Sequence, residues 1–438
     1  MIDLESRVLR AYVVQPVLSS DRAYDSDYKL EEARRLAEAL EVEVAGADLV
    51  ALREIRAGEY FTSGKLDEIK AYINSHDIDI LIVNTSIAPI QQRNLERKLN
   101  VKVVDRSGMI LEIFGLRAAT KEGKLQVELA RQAYERSRLV RTWTHLERQR
   151  GGQGFLAGPG ETQIESDRRM LDKRISKLRS QIDDVRRTRE LQRKQRQRAP
   201  ERVVALVGYT NAGKSTIFNR VTDGDVLAKD MLFATLDTTH RLLDLPSGSK
   251  AILSDTVGFI SDLPTDLITA FRATLEEVQE ADLILHIRDI TDPLADDRRD
   301  VVMDILRSLN AGPEHGQPIL EVLNKIDLLD DDESESEVNA ARRLLDGDDH
   351  TGAIGISALN GQGVDRLLMR IEEMLGASDE IIHSIIPPAQ FAARAWLHEH
   401  GEIISEQMRD NGVMDIKVRL RSSDAGIYRS KHSDLIAG

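Results

Sequence analysis

The run Arg202–Gly208, RVVALVG, is almost uninterrupted in β-branched and aliphatic residues. It leads straight into Gly208-Tyr209-Thr210-Asn211-Ala212-Gly213-Lys214-Ser215 and then into TIFNRVT. No other stretch restricts the fold as strongly. A strand this apolar must be covered on both faces, as a strand of a parallel sheet is. The glycines let backbone N–H groups wrap around phosphate, Lys214 reaches the terminal phosphates, and the Ser215 hydroxyl is a magnesium ligand. The helix that follows turns its positive end toward the anion. Strand, glycine loop and helix in register define a phosphate-binding loop, with all of 208–215 as candidate contacts. A doubly wound α/β domain is the fold class that carries such a loop.

Three further motifs stand at later strand ends, in order. Asp255-Thr256-Val257-Gly258 follows the strand Lys250–Ser254. An acid here supports the metal across the nucleotide, and the Gly258 N–H can meet a γ-phosphate, making the next loop a sensor of hydrolysis. Asn324-Lys325-Ile326-Asp327 closes the strand Ile319–Leu323. The Asp327 carboxylate can accept two N–H bonds from guanine, and a buried carboxylate left unpaired by adenine is a strong rejection device. Asn324 can tie this loop to the phosphate loop, and the Lys325 stem can cover the base. Ser357-Ala358-Leu359 follows the apolar AIGI and can offer backbone N–H groups to the guanine carbonyl. Together these are the signature of a P-loop GTPase binding GTP or GDP. Phe233-Ala234-Thr235-Leu236-Asp237-Thr238-Thr239 lies between the phosphate loop and Asp255. A threonine there should ligate magnesium beside the γ-phosphate, and the residues alone leave Thr235, Thr238 and Thr239 open.

The rest of the chain reads as two different textures. In 1–115, candidate strands Val8–Val14, Ile80–Val83 and Val101–Val104 alternate with helical stretches Lys29–Leu40, Lys65–Asn74 and Pro89–Leu99, the pattern of a small parallel α/β lobe. In 116–200, Leu125, Leu129, Gln132, Arg136, Leu139, Trp143 and Leu146 step by four and three, as do Leu171, Ile175, Leu178, Ile182 and Val185 after Ile164. Between these helices lies Gly151–Gly160, five glycines and a proline in ten residues, which interrupts a helix. Two long helices joined there make an antiparallel hairpin. The nucleotide domain occupies 201–376. Pro387–Pro388 mark a linker, and 377–438 form a small α+β module with a helix over Phe391–Met408 and a strand over Ile416–Leu420.

Charge is distributed unevenly over these parts. The 438 residues carry a formal charge of −14. Residues 131–200 hold 19 Lys and Arg against 9 Asp and Glu, a local +10, so the remainder carries −24. A basic segment inside an acidic protein suits RNA phosphates. Arg168, Arg169, Lys173, Arg174 and the run Arg193–Arg198 are the candidates, with Gly151, Gly152, Gly154, Gly158 and Gly160 forming a backbone-rich tip. The absence of cysteine excludes disulfides and thiolate sites. No apolar run reaches the length of a membrane span. A cytoplasmic monomer is expected, with peripheral membrane association left open.

The run Gly158-Pro-Gly-Glu-Thr-Gln-Ile-Glu-Ser-Asp-Arg-Arg169, followed by a helix and Gly208–Thr216, resembles the HflX family of ribosome-associated GTPases. FTSGKLDEI (61–69) and VVDRSGMILEIF (103–114) are similar to the family's N-terminal domain, so the resemblance spans about 7–376. It implies binding to the large ribosomal subunit with the glycine loop near the peptidyl transferase centre. It also implies splitting or rescue of stalled ribosomes under stress. Thr235 is the magnesium ligand that it implies. Phe155-Leu-Ala157 stands where the family pattern leads one to expect an Arg. Phe259 follows D-x-x-G where many GTPases orient water with Gln, so catalysis should lean on a partner. Asn211, three residues before Lys214, resembles GTPases that hold potassium in place of an arginine finger. The alternative function is a nucleotide-gated dormancy or anti-association module in which hydrolysis only drives release. An RNA-remodelling ATPase is a third, which Asp327 argues against.

Overall fold

The computed structural model describes residues 8–18, 23–149, 159–196, 202–222, 232–233, 235–236, 238–261, 277–329, 353–377, 379–409 and 411–437. By contacts these fall into two compact units. One lies within Met1–Asp184, Leu227–Asp237 and Val257–Thr274, the other within Val185–Val226, Thr238–Thr256 and Leu275–Gly438.

The first unit opens with β1 (Arg10–Leu18), α1 (Ala23–Glu38), β2 (Glu43–Leu52), α2 (Ser63–Ser75), β3 (Ile80–Val83), α3 (Pro89–Leu99), β4 (Lys102–Asp105) and α4 (Arg106–Arg117). The sheet order is β2-β1-β3-β4, parallel throughout. Val14, Leu81, Val83 and Val103 from the strands pack with Leu66, Ile69, Leu95 and Leu99 from the helices, which is the core that the alternation predicts. β3 and α3 have the expected bounds. β1 begins and ends later than Val8–Val14. β2 had no counterpart in the sequence reading, because this edge strand buries few residues and its apolar stretch is broken by Gly46 and Asp48. α4 starts where β4 stops. Asp105 ends the strand and caps the helix, its Oδ1 accepting the Gly108 N–H at 2.8 Å.

α5 (Lys121–Gln149) and α6 (Pro159–Arg196) are the expected long helices. Arg136 on α5 pairs with Asp172 on α6 at 2.8 Å. Each stands 13 residues from the connection between the helices, which makes the pair antiparallel. Ile175, Leu178 and Ile182 of the expected α6 stripe are buried. The first turns of α5 differ from expectation: Gln126, Val127 and Ala130 are buried, whereas Leu125 and Leu129 are only partly so. That end of α5 packs on α3 and α4, so the lobe sets the buried face there instead of the hairpin seam. Pro159 opens α6, a position where its missing N–H costs nothing, so Gly160 lies inside the first turn and not in the loop. Residues 151–158, and the side chains of Trp143, Leu146, Ile164 and 193–198, lie outside the described residues.

In the second unit β5 (Arg202–Gly208), α7 (Lys214–Thr222), β6 (Thr239–Asp244), β7 (Lys250–Asp255), β8 (Leu283–Asp289), α8 (Ala295–Ser308), β9 (Ile319–Asn324), β10 (Ile354–Gly355) and α9 (Val364–Gly376) build a sheet of order β10-β9-β8-β5-β7-β6. All neighbours are parallel except β6 with β7. Strands are added on one side of β5 and then on the other, so the carboxyl ends beside β5 form the crevice where open α/β sheets bind ligands.

The C-terminal module holds β11 (Asp379–Ile386), α10 (Phe391–His400), β12 (Gly401–Met408), β13 (Met414–Arg421) and α11 (Ser422–His432), with antiparallel sheet order β11-β13-β12. The helix expected over Phe391–Met408 stops at His400. Gly401 lets the chain turn directly against β13, since a Cβ there would lie 2.5 Å from Leu420 Cδ2 and Val418 Cγ2. Pro387–Pro388 is not a linker in front of the module, because β11 precedes it and pairs with β13 along its whole length. Among the described residues no helix is long and apolar enough to cross a membrane.

Candidate nucleotide site

Gly208 ends β5 so close to β8 that a Cβ would stand 2.3 Å from the Ile287 carbonyl oxygen. Gly213 lies at φ +95, and a Cβ there would meet Asn324 Nδ2 at 2.1 Å. These two positions need glycine for contact as well as for conformation. Between them Tyr209, Thr210 and Ala212 are buried, and Asn211 takes a left-handed φ of 63 with its side chain partly buried. The Thr210 hydroxyl is buried without a hydrogen-bond partner among the described residues, so it is a donor available to a ligand. The Tyr209 ring lies beneath the Arg298 guanidinium of α8, 4.4 Å from its centroid.

Lys214 is buried, and its Nζ donates to the carbonyls of Gly208 (3.1 Å) and Tyr209 (2.9 Å). Burial pushes its pKa down to about 8, with the Asp255 charge opposing. His286 on β8 is also buried, and desolvation pushes it down to about 4, which keeps it neutral beside the loop. Ser215 Oγ donates to Asp255 Oδ2 at 2.8 Å. This hydroxyl and carboxylate, both oxygen donors, fit a hard divalent cation that takes its other ligands from phosphate and water. Ser215 would bind magnesium directly, with Asp255 behind it.

Thr256, read from the sequence as a nucleotide contact, has another role. It is fully buried, and its Oγ donates to the Leu206 carbonyl at 2.6 Å, locking the end of β7 to β5. Val257, Gly258, Phe259 and Ile260 are buried. Thr239 opens β6 opposite Asp255 in the ladder. Phe233, Thr235 and Leu236 are buried in the first unit, where the Phe233 ring packs edge to face on Phe114. What Phe233 can offer a nucleotide is therefore backbone. Ala234 and Asp237 lie outside the described residues.

The base-side loops are tied to the phosphate loop by one residue. Asn324 Nδ2 donates to the Ala212 carbonyl (2.8 Å), and its Oδ1 accepts the Ala358 N–H (2.9 Å). That amide is thus held internally in this structure. Lys325 is left-handed at φ 69, and its Nζ pairs with Asp289 Oδ2 at 2.7 Å. Ile326 and Ser357 are buried, and Leu359 is exposed. Asp327 is exposed, contrary to the buried carboxylate that the sequence reading expected, and makes no hydrogen bond or ion pair among the described residues. It sits in a short 3-10 turn past the carboxyl end of β9, where solvent reaches it. Arg220 of α7 was not foreseen. Its guanidinium donates to the carbonyls of Ala358 (3.1 Å) and Leu359, fastening the Ser357–Leu359 loop to the helix behind the phosphates. Neither Arg220 nor Asp289 belongs to a short motif, so only three-dimensional proximity reveals them.

Of the hairpin candidates, Arg168, Arg169, Lys173 and Arg174 are exposed. At about 100° per residue, Arg169 and Lys173 point away from the buried stripe while Arg168 and Arg174 flank it. Arg169 bonds Glu165 at 2.8 Å, an exposed pair of little energetic weight.

A phosphate loop at the carboxyl end of a central strand, a metal-competent Ser–Asp pair and an Asn-Lys-x-Asp loop braced to it define a guanine-nucleotide-binding P-loop protein. The comparisons extend this to the whole chain. Residues 27–115 match "GTP-binding GTPase N-terminal", 117–196 "GTP-binding GTPase Middle Region", 203–325 "50S ribosome-binding GTPase" and 346–431 "HflX C-terminal domain". A GTPase HflX of Magnetococcus marinus is 48% identical over 375 residues, 86% of this chain and 84% of that protein. A GTPase HflX of Caldanaerobacter subterraneus is 40% identical over 427 residues, 96% and 94% of the two. A GTP-binding protein from Sulfolobus solfataricus in complex with GDP aligns at TM-score 0.46 and 25% identity, over 84% of this chain and 99% of that one. The chain belongs to the HflX family of GTPases. The match reaches into the C-terminal module, beyond residue 376 where the resemblance read from the sequence ended.

Proposed function

We propose that this GTPase acts on the large ribosomal subunit, hydrolysing GTP to GDP and phosphate and separating or rescuing stalled ribosomes under stress. What carries the reading is a nucleotide site of GTPase design whose phosphate loop, Ser215–Asp255 pair and Asn324 lie within residues 203–325, which match "50S ribosome-binding GTPase". The phosphate loop 208–215 cradles the phosphates, Lys214 neutralises them, and Asp327 reads guanine. Ser215 and Thr235 would hold Mg2+, which supplies charge neutralisation at the phosphates. The Gly258 N–H meets the γ-phosphate. Asn211, left-handed and partly buried in the loop, would offer an oxygen to K+, and turnover should then be faster in potassium than in sodium buffer with ribosomes present. Equal turnover in the two salts would remove this role.

In a four-part division at 115, 200 and 376 the hairpin meets ribosomal RNA, with Arg168, Arg169, Lys173 and Arg174 at phosphates and the glycine-rich connection, leading into the first turn of α6 at Gly160, entering a narrow cavity. Deleting 151–160 should spare the intrinsic GTPase and abolish its stimulation by ribosomes, and surviving stimulation would show that the loop is not the contact. One observation favours a second reading. Phe259 is buried and apolar where a water-orienting side chain would stand, so binding can do the work while hydrolysis, completed on the ribosome, releases the protein. Subunit profiles on sucrose gradients separate the two readings. Splitting with GTP alone supports work by hydrolysis, and splitting with a non-hydrolysable analogue supports work by binding. No shift with either nucleotide overturns both. The cell compartment of such a factor is the cytoplasm.

A further inference from the structure

Helix α4 carries two contacts that nucleotide binding does not explain. In its first turn the buried Arg106 guanidinium is gripped from the lobe, Nη1 donating to Asn84 Oδ1 (2.7 Å) and Nη2 to Glu32 Oε2 (2.6 Å). The same Nη2 also donates to the backbone carbonyl of Ser261 at 3.1 Å. Ser261 stands three residues after Gly258. Asn84 in turn donates to Gln15 Oε1 (2.6 Å) and the Lys29 carbonyl (3.1 Å), which anchors the guanidinium to β1, β3 and α1. Eight residues along α4, about 12 Å of helix, Phe114 meets Phe233 edge to face, with centroids 4.7 Å apart and planes at 86°. Phe233 stands two residues before Thr235 and holds a left-handed φ of 57, a conformation an aromatic residue keeps only when its surroundings impose it.

The described residues of 232–236 and 257–261 belong by contacts to the unit of the N-terminal lobe. Both loops therefore rest on one helix. A rigid fork anchored by two buried partners cannot follow the Ser261 carbonyl if it moves. Breaking that one bond leaves the Glu32 and Asn84 bonds intact, so the contact can open without unfolding the lobe.

The geometry points to α4 as the element that couples the two nucleotide-sensing loops to each other, with Arg106 and Phe114 as positioning residues that set Gly258 and Thr235 for the γ-phosphate. This rests on the reading above that Thr235 and Gly258 meet that phosphate. GDP lacks it, so the coupling acts on GTP alone.

The test uses the full chain with Phe114→Ala, Arg106→Gln and both together. Affinity for GDP should stay within about twofold, affinity for a non-hydrolysable GTP analogue should fall about five- to tenfold, and kcat should fall about tenfold. Because both act through one helix, the double variant should be little worse than the poorer single. Phe114→Leu should recover most of the loss, whereas Arg106→Lys should not, since an ammonium cannot fork to Asn84 and Ser261 together. Amide exchange at 257–261 provides a second readout should Arg106→Gln fail to fold. The protection gained there on exchanging GDP for the analogue should shrink in Phe114→Ala, although Phe114 touches the other loop. Equal losses for GDP and analogue, or unchanged kcat and exchange, would overturn the coupling. An unmodified chain that shows no GDP-to-analogue difference at 257–261 would instead overturn the reading of the site.

Discussion

Replacing Gly213 with alanine is expected to weaken GDP and GTP binding by about two to three orders of magnitude, on the scale of 1.4 kcal/mol per tenfold. Two effects add. The φ of +95 is one that an L side chain rarely adopts, costing roughly 1–2 kcal/mol. The new Cβ would also fall 2.1 Å from Asn324 Nδ2 and drive that amide off the Ala212 carbonyl. Each hydrogen bond so lost, with a buried partner left unsatisfied, costs about 1–3 kcal/mol. Because Asn324 also holds the Ala358 amide, the phosphate side and the base side lose their common reference together. Gly248→Ala is the control: its φ is +89 but no atom lies within 4 Å, so it carries the strain without the displacement. Titration with a fluorescent GDP would compare the two. If Gly213→Ala bound GDP as tightly as Gly248→Ala, the Asn324 brace would be irrelevant to binding.

The second large effect is one of selectivity. Asp327→Asn should lower GTP affinity by about 10²–10³-fold and raise that for xanthosine triphosphate by a comparable factor, leaving ATP unbound. A carboxylate accepts from both the ring N–H and the exocyclic amine of guanine. An amide accepts one hydrogen bond and donates one, which matches the ring N–H and carbonyl of xanthine. Sites built on such pairs can reject a mismatched base by 10⁴–10⁵ when buried, roughly the upper limit here. Asp327 is exposed, so water compensates part of the mismatch and the smaller figure applies. Competition among the three triphosphates for labelled GDP measures it. Loss of GTP binding without any gain for xanthosine triphosphate would mean that Asp327 shapes the loop and does not read the base.

Elements were legible where burial is uniform. β3, α3, β5 and β9 lie within a residue or two of their expected bounds, since strands covered on both faces display their burial as an apolar run. The edge strands β2 and β6 face solvent along much of their length and show mixed polarity, so neither was foreseen. In the tail, the continuity of helix-compatible residues in FAARAWLHEHGEII (391–404) hid the break at Gly401, which is imposed by Val418 and Leu420 on a strand that follows later in the chain. The same distinction runs through the site. The motifs themselves were legible because each begins where a strand ends, at Gly208 of β5, Asp255 of β7 and Asn324 of β9. Thr256 was assigned to the nucleotide because adjacency within D-T-V-G does not say which way a hydroxyl points.

By itself the sequence determined the P-loop class, the order of the nucleotide loops and the family, because backbone cradling and guanine reading need particular residues at fixed short spacings. The tertiary structure alone decided what holds those loops in place: Asn324 between phosphate and base, Arg220 behind the base loop, and α4 with Arg106 against Ser261 and Phe114 against Phe233. Most contacts of that kind join residues more than a hundred positions apart. Their geometry depends on how strands and helices are stacked, and no local pattern along the chain records it.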